Sequence, residues 1–328
     1  MQIKDEILSL LKKGKNLLAF SYGSDSSALF YLLMQEKIDF DLAMINYKTR
    51  KNSDLEELKA KELALKFHKK IFIKHAPKFQ SNFEKKARDF RYDFFEKICL
   101  KQDYDHLILA HHLNDQFEWF LMQLSRGAGL AEILGMQECE KRSNYTLLRP
   151  LLFTSKDEIS SFLKEKDIFY FHDESNENEK YFRNYIRKNF SNAFVSKFHQ
   201  GLKRSFSYLD EDRKKLYGFE NIKEVQGLLI CPKNESLIAR AVKMKGLLLS
   251  TAQRKELLKG DCVLGGKIAL VYKNEQAIVF EYETCQKLPK NFKEECRIAK
   301  IPRLLRAYLY NHKIDISSLK QFFDSLNV

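Results

Sequence analysis

The chain has 328 residues, 44% of them apolar, and a formal net charge of +13. That length supplies core for two or three domains, and the lack of an 18-residue uncharged apolar run argues against a membrane span. Cys99, Cys139, Cys231, Cys262, Cys285 and Cys296 are scattered with no C-x-x-C pair, which argues against a zinc ribbon, a cysteine-bound cluster or a disulfide framework and points to a reduced, cytoplasmic protein.

In chain order, an acid-bearing opening, Met1-Gln2-Ile3-Lys4-Asp5-Glu6, leads into an amphipathic pattern unlike a signal peptide. Strands are predicted over 16–21, 39–46, 70–74 and 106–110, with helices over 25–35, 54–68 and 82–102 between them. Strands spaced by helices of this length imply right-handed βαβ units and a parallel sheet. Ligands of such sheets bind beyond the carboxyl ends of the strands. The polar segments after Phe20 and after Ala110 both lie at such ends.

After the first strand comes Ser21-Tyr22-Gly23-Ser24-Asp25-Ser26, running straight into an apolar helix. The N-terminus of a helix offers unpaired N–H groups and partial positive charge, so this turn suits phosphate. The hydroxyls of Ser21, Ser24 and Ser26 add donors. Asp25 fits such a site only if a cation stands between it and the phosphate, which points to a nucleotide held with Mg²⁺. A serine-capped helix after a buried strand is the plainer alternative. Neither G-x-x-x-x-G-K-[ST] nor G-x-G-x-x-G occurs.

After the fourth strand comes His111-His112-Leu113-Asn114-Asp115-Gln116-Phe117-Glu118-Trp119. Asp115 and Glu118, three apart at a helix start, share a face. Paired acids there can share a metal, receive an ammonium or exchange a proton. Acids drawn to a helix dipole, beside packing histidines, are the plainer account.

Beyond Pro150 the pattern turns mainly helical. Ser155-Lys156-Asp157-Glu158 reads as a capping box opening a helix to about 164. A basic, aromatic helical segment over 179–217 is expected to break near Gly201. Helices follow at about 235–245, 251–258, 302–310 and 316–325, with a hairpin pairing 267–272 and 276–280. Residues 201–328 hold 24 Lys and Arg against 15 Asp and Glu, +9 of the total +13. Such an imbalance suits a polyanion, although dispersed surface lysines would give it too.

The first loop resembles the Ser-Gly-Gly-x-Asp-Ser PP-loop of the N-type ATP pyrophosphatases, with Tyr22 in place of the first glycine. The chain then carries Ala87-Arg88-Asp89-Phe90-Arg91-Tyr92, the histidine block, Arg126-Gly127-Ala128-Gly129, Arg149-Pro150-Leu151-Leu152, Asp173-Glu174-Ser175-Asn176 and Arg183-Asn184-Tyr185-Ile186-Arg187. In order and spacing this series resembles the tRNA(Ile)-lysidine synthase family, whose blocks are A-R-x-x-R-Y, H-H-x-D-D-x-x-E-T, R-G-x-G, R-P-L-L, D-x-S-N and R-N-x-x-R. Asn114 and Trp119 replace the first acid and the threonine of the histidine block.

The resemblance implies an α/β chain. An N-terminal parallel-sheet PP-loop ATP pyrophosphatase domain (adenine nucleotide alpha hydrolase-like) would span 1–200. A smaller, basic, mainly helical α+β domain over 201–328 would bind tRNA. It implies a ligase that adenylates the wobble cytidine of the CAU-anticodon isoleucine tRNA with ATP and then joins free L-lysine to C2, releasing AMP and pyrophosphate. Ser21, Tyr22, Gly23, Ser24, Asp25 and Ser26, with Arg126 and Gly127, would bind ATP, and Asp25 and Asp115 would hold Mg²⁺. Asp25, Asp115 and Glu118 would be catalytic, the last two receiving lysine. Arg88, Arg91, Arg183 and Arg187 would meet tRNA or lysine. His111 and His112 stay open between catalysis and packing, and monomer and homodimer are both open. A PP-loop tRNA thiolase, an inactive PP-loop tRNA-binding protein and a small-molecule synthetase using the same loop are the competing readings. The absent C-x-x-C pairs count against the first, the departures at Tyr22, Asn114 and Trp119 favour the second, and the basic C-terminal third counts against the last.

Overall fold

A computed structural model describes residues 1–48, 52–79, 83–142, 144–172, 182–217, 222–273, 275–317 and 319. The chain divides into two compact units, Met1–Asp210 and Glu211–Val328. The block Asp173-Glu174-Ser175-Asn176 and most of the helix expected over 316–325 lie outside the described residues. No described helix is long and apolar enough to cross a membrane.

The first unit begins with α1 (Asp5–Lys13), then β1 (Asn16–Ala19), α2 (Ser24–Gln35), β2 (Asp41–Asn46), α3 (Ser53–Lys66), β3 (Ile71–His75), α4 (Phe83–Gln102) and β4 (His106–Ile108). These follow the predicted strands and helices closely, because each strand is a short apolar run and each helix has an amphipathic or buried face. Then come α5 (Leu113–Leu124), α6 (Leu130–Ile133), β5 (Cys139–Lys141), β6 (Thr146–Leu148), α7 (Lys156–Glu165) and α8 (Phe182–Ile186). The sheet order is β3-β2-β1-β4-β6-β5. All pairings are parallel except β5 with β6. Central strands of such a sheet are covered on both faces. Accordingly Leu18 and Phe20 pack toward α2 and α7, while Leu17 and Ala19 meet Phe95 and Ile98 of α4.

The helical segment over 179–217 is interrupted twice. After α8 the backbone makes a wide π-turn at Arg187–Ser191 before α9 (Asn192–Tyr217). The kink within α9 falls at Phe198 (φ −123°), three residues before the expected Gly201. A glycine loosens a helix, but it does not have to be where the helix bends.

The second unit holds β7 (Lys223–Val225), β8 (Leu228–Pro232), α10 (Glu235–Met244), α11 (Thr251–Glu256), β9 (Cys262–Leu264), β10 (Ile268–Lys273), β11 (Gln276–Glu281), α12 (Lys290–Ile298) and α13 (Leu305–Asn311). The predicted hairpin is β10–β11, at the heart of an antiparallel sheet ordered β7-β8-β11-β10-β9. Side chains alternate across it. Leu228, Ile230, Val271 and Phe280 pack toward α12 and α13, and Leu229, Cys231, Leu270 and Val279 pack toward α10 and α11.

One polar cluster ties β2, α3 and β3 together. Asn46 at the end of β2 donates to Glu57 Oε2 (2.9 Å) and to Asp54 Oδ1 (3.0 Å). Lys61 Nζ reaches Glu57 Oε1 and His75 Nε2 reaches Oε2, both at 2.8 Å. Burial raises the Glu57 pKa, but these three partners outweigh it and lower it to about 2. A depressed carboxyl stabilises the fold above its unfolded pKa, near 4.3, and the contribution fades as the pH falls through its folded value. Glu57→Gln is therefore expected to cost about 1–2 kcal/mol at pH 7, discounted for the exposed Lys61 and His75. Urea unfolding of both proteins from pH 7 down to pH 2 should show the difference shrinking below pH 4; a constant difference would contradict this account.

Candidate active site

The strand order reverses at β1, whose neighbours β2 and β4 lead away in opposite directions. Beyond the carboxyl ends of β1 and β4 the two loops diverge and leave a crevice, the usual ligand site of an open α/β sheet. A cavity of about 550 Å³ lies there, lined by residues of both loops and of α4, α5, α7 and the π-turn.

The first loop is built around Tyr22, whose backbone lies in the left-handed region at φ 60°. This is the conformation for which glycine is favoured. The tyrosine is held there by its ring, buried with centroids 5.1 Å from Phe20 and 5.4 Å from Phe171. Phe171 N–H also donates to Tyr22 O (3.0 Å). Gly23 caps α2 at an ordinary φ of −77° and has no side chain to offer the first-turn N–H groups. Ser21 Oγ and Ser26 Oγ lie 3.1 Å apart, and Ser26 Oγ donates to Gly23 O. The turn is thus braced by its own hydroxyls, with the start of α2 bordering the cavity.

The second loop brings charge. His112 Nε2 lies 3.6 Å from Asp25 Oδ2 and 3.5 Å from Asp115 Oδ2, bridging the two loops. Burial lowers the His112 pKa, but Asp115 and Asp25 outweigh it, so the imidazolium is favoured. Burial raises the Asp25 pKa, yet His112 and Lys156 bring it below the usual range. For Asp115 burial is likewise overcome, by His112, Arg183 and His111. Lys156 Nζ donates to Ser24 Oγ (2.7 Å) and pairs with Asp25.

Glu118 is fully buried. Arg183 Nε donates to it at 2.8 Å and Arg187 Nε at 2.7 Å, while Arg183 Nη2 also reaches Asp115 Oδ1 at 2.6 Å. Asp115 and Glu118, the acids expected to receive an amine, are thus already met by guanidinium groups of the protein itself. A carboxylate wholly removed from water needs countercharge, and two guanidinium groups supply it.

His111 behaves differently from its neighbour. Burial pushes it down to about 3, opposed by Asp115 and aided by Arg149, Arg183 and Arg91. Arg149 Nε donates to His111 Nδ1 (3.3 Å), so the neutral ring carries its proton on Nε2. Arg149 is itself buried and anchored on Gln137 O (2.6 Å) and Glu140 (3.1 Å).

The cavity thus gathers Ser21, Gly23, Ser24, Asp25, Ser26, Arg91, Asp115, Glu118 and Arg187 from the predicted set, with Arg183 bonded behind the acids and Tyr22 beneath the loop. It does not gather Arg88, Arg126 or Gly127. Arg88 is exposed on α4 with its guanidinium over the ring of Tyr92 (5.0 Å), and it does not line the cavity. Arg126 and Gly127 are exposed in the turn after α5, which carries them away from the β-strand ends. Sequence reasoning missed Lys156 and Arg149 as site residues. Both stood in recognised blocks, but only folding brings them to loops far away in the chain. Among the described residues, no group of three or more His, Cys, Asp and Glu side chains is arranged to hold a metal by itself. Asp25 and Asp115 with the serine hydroxyls form an all-oxygen set that suits Mg²⁺ only when phosphates complete it.

Residues 1–194 match the PP-loop domain model. The chain is 97% identical over 319 residues to a tRNA(Ile)-lysidine synthase of Campylobacter jejuni strain RM1221, covering 97% of this chain and 99% of that one. A tRNA(Ile)-lysidine synthase of Helicobacter pylori strain 26695 is 41% identical over 92% of this chain and 91% of its own. The chain belongs to the tRNA(Ile)-lysidine synthase family. In fold it is similar to the U34-tRNA thiolase NcsA of Methanococcus maripaludis with its [4Fe-4S] cluster (TM-score 0.51, 18% identity, 65% of this chain and 76% of that one). Within the family pattern, the departures have local explanations. Asn114 Oδ1 accepts the backbone N–H of Lys156 (3.0 Å), and Trp119 Nε1 donates to Glu132 O (3.1 Å), against Gly135 and outside the cavity.

Glu118→Gln should leave Arg183 and Arg187 short of countercharge and cost about 2 kcal/mol, less than the roughly 3–5 of a fully buried pair because both arginines reach solvent. An unchanged urea midpoint would argue against this pairing. Arg126→Ala is expected to leave the KM for ATP within about twofold; a larger rise would return Arg126 to the nucleotide site.

Proposed function

We propose that this protein joins L-lysine to C2 of the wobble cytidine of the CAU-anticodon isoleucine tRNA, at the expense of ATP. The observation that carries the proposal is the cavity's two-sided chemistry. One wall is the serine-rich turn and the start of α2, suited to phosphate. The other is the Asp115–Arg183–Glu118–Arg187 cluster, suited to a zwitterion.

In the first step the C2 carbonyl oxygen of cytidine attacks the α-phosphorus of ATP, and the bond to the bridging oxygen breaks, releasing pyrophosphate. The N–H groups at the start of α2 and the hydroxyls of Ser21, Ser24 and Ser26 receive the departing oxygens, stabilising charge where it develops. Asp25 and Asp115 are the residues to hold Mg²⁺, which when bound supplies charge neutralisation to the phosphates. Arg91 and His111 line the same cavity and are the groups assigned to the base.

In the second step the lysine amine adds at C2 and AMP leaves. A lysine zwitterion can exchange partners with the ion cluster, its carboxylate taking a guanidinium from Arg183 or Arg187 and an ammonium taking Asp115. Asp115, partly released when Arg183 turns to the ligand while His112 remains beside it, is the acceptor for a proton from the attacking amine. Much of the rate gain comes from holding three substrates in register.

The basic second unit is assigned to the tRNA backbone, where phosphate contacts give salt-dependent affinity. The six free cysteines fit a reducing cytoplasm.

Incubation with ATP, Mg²⁺, lysine and the CAU tRNA should give a lysine adduct on one cytosine by mass spectrometry, with AMP and pyrophosphate in equal amounts. Unmodified tRNA, or AMP formed without tRNA, would sink the proposal. Asp25→Ala should lower adenylation by roughly 100-fold or more while tRNA affinity stays within about twofold, as read by filter binding and AMP release.

A further inference from the structure

We propose that Lys156 is a catalytic cation of the adenylation step and that Asn114 is the residue that positions it. The inference rests on the function proposed above.

Lys156 is the first residue of α7, and its side chain turns into the cavity instead of running along the helix. Its ammonium is bonded to Ser24 Oγ (2.7 Å) and paired with Asp25 Oδ1. Ser24 and Asp25 open α2, so the ammonium already stands over the N–H groups assigned to phosphate. Lys156 lies 131 residues from Asp25 in the chain.

The other end of the residue is fixed. Lys156 N–H donates to Oδ1 of buried Asn114 (3.0 Å). Ser155 and Glu158 satisfy one another in the capping box. The start of α7 is therefore occupied by protein groups, and what it presents to the cavity is the ammonium. Asn114 makes this bond without adding a negative charge beside the lysine. That gives a physical role to the residue that replaces the family's first acid: it supplies the acceptor and leaves the ammonium's charge to Asp25 and the ligand.

Purely structural pairing is a weak account of Lys156. Its side chain is 37% exposed and that of Asp25 34%, and pairs that open to water contribute little to stability. A partly exposed ammonium at the edge of a phosphate turn is instead suited to change partners. On nucleotide entry it leaves Asp25 for the β- and γ-phosphate oxygens, freeing Asp25 for Mg²⁺. As the Pα–O bond to the bridging oxygen breaks, its electron pair goes to pyrophosphate. Lys156 stabilises that charge and keeps its own proton throughout, so no proton transfer is required of it.

The test compares full-length wild type with Lys156→Gln, Lys156→Met, Lys156→Arg, Asn114→Ala and Asn114→Asp. Lys156→Gln keeps a hydrogen-bonding group for Ser24 and Asp25 and removes only the charge. It and Lys156→Met should lose roughly 100-fold in kcat for AMP formation, with KM for ATP rising only a few-fold. Lys156→Arg should recover at least a tenth of the wild-type rate. Binding of Mg²⁺ alone, followed by calorimetry, should tighten in Lys156→Gln because the competing ammonium is gone. Asn114→Ala should lower kcat about tenfold, and Asn114→Asp should restore most of it. All variants should bind tRNA within twofold of wild type. Wild-type kcat in Lys156→Gln, or unchanged Mg²⁺ affinity, would overturn the assignment while leaving the proposed function standing. Failure of the wild type itself to adenylate the tRNA would instead overturn that function.

Discussion

Charge compensation at the end of the parallel sheet is the constraint on which the rest of this site depends. Asp25, Asp115 and Glu118 are brought into or near the interior, and each carboxylate would be expensive to leave alone there. His112, Lys156, Arg183 and Arg187 answer them, drawn from three different stretches of the chain. The result is an ion network whose charges are paired without ligand, although His112 Nδ1 is buried with no hydrogen-bond partner among the described residues, and its pairs are ones that charged substrates could enter by exchange. In the proposed reaction ATP would compete for the lysine and the imidazolium, and a zwitterion for the arginines. Binding and catalysis then draw on interactions already paid for in the fold.

The network is possible because of where the sheet turns. Parallel order β2-β1-β4 directs both polar loops to one edge, and the reversal of order at β1 leaves a gap between them. The two hydrophobic layers, one holding α2 and α7 and the other α4, keep β1 immobile between them. A rigid strand end matters here, since small misplacements of reacting groups are costly. The π-turn at Arg187–Ser191 is part of the same economy. It departs from α-helical spacing just where Arg187 must reach Glu118, in keeping with the frequent use of such turns at functional sites.

Each departure from the family pattern is absorbed by its surroundings. Tyr22 adopts a backbone conformation that suits glycine, at some strain, and its ring repays part of this by filling an aromatic pocket with Phe20 and Phe171. Asn114 keeps an acceptor for the start of α7, and Trp119 packs against Gly135, where a methyl group would collide with the indole. None of the three leaves the cavity without a group its chemistry needs, which weakens the case for an inactive tRNA-binding module.

Much of the first unit could be read from residue order alone. Short apolar runs and intervening helical patterns are local signals, so β1 to β4 and α2 to α4 followed from them, as did the capping box at Ser155 and the β10–β11 hairpin. The serines and aspartate of the first loop were legible for the same reason, since a phosphate turn is written in consecutive residues. The three-residue strands β5, β6, β7 and β9 were not, because so few side chains carry no periodicity and neighbours in space decide their pairing. Nor could the chain's order reveal that Lys156 rests on Asp25, that Arg149 sets the proton of His111, or that Arg183 and Arg187 close over Glu118. Arg126 shows the converse, a residue with the right chemistry in the right block that the turn after α5 carries away from the cavity. Residue types and local patterns determined which groups were available; only tertiary structure decided which charges meet, because burial and countercharge depend on contacts between segments 38 to 131 residues apart.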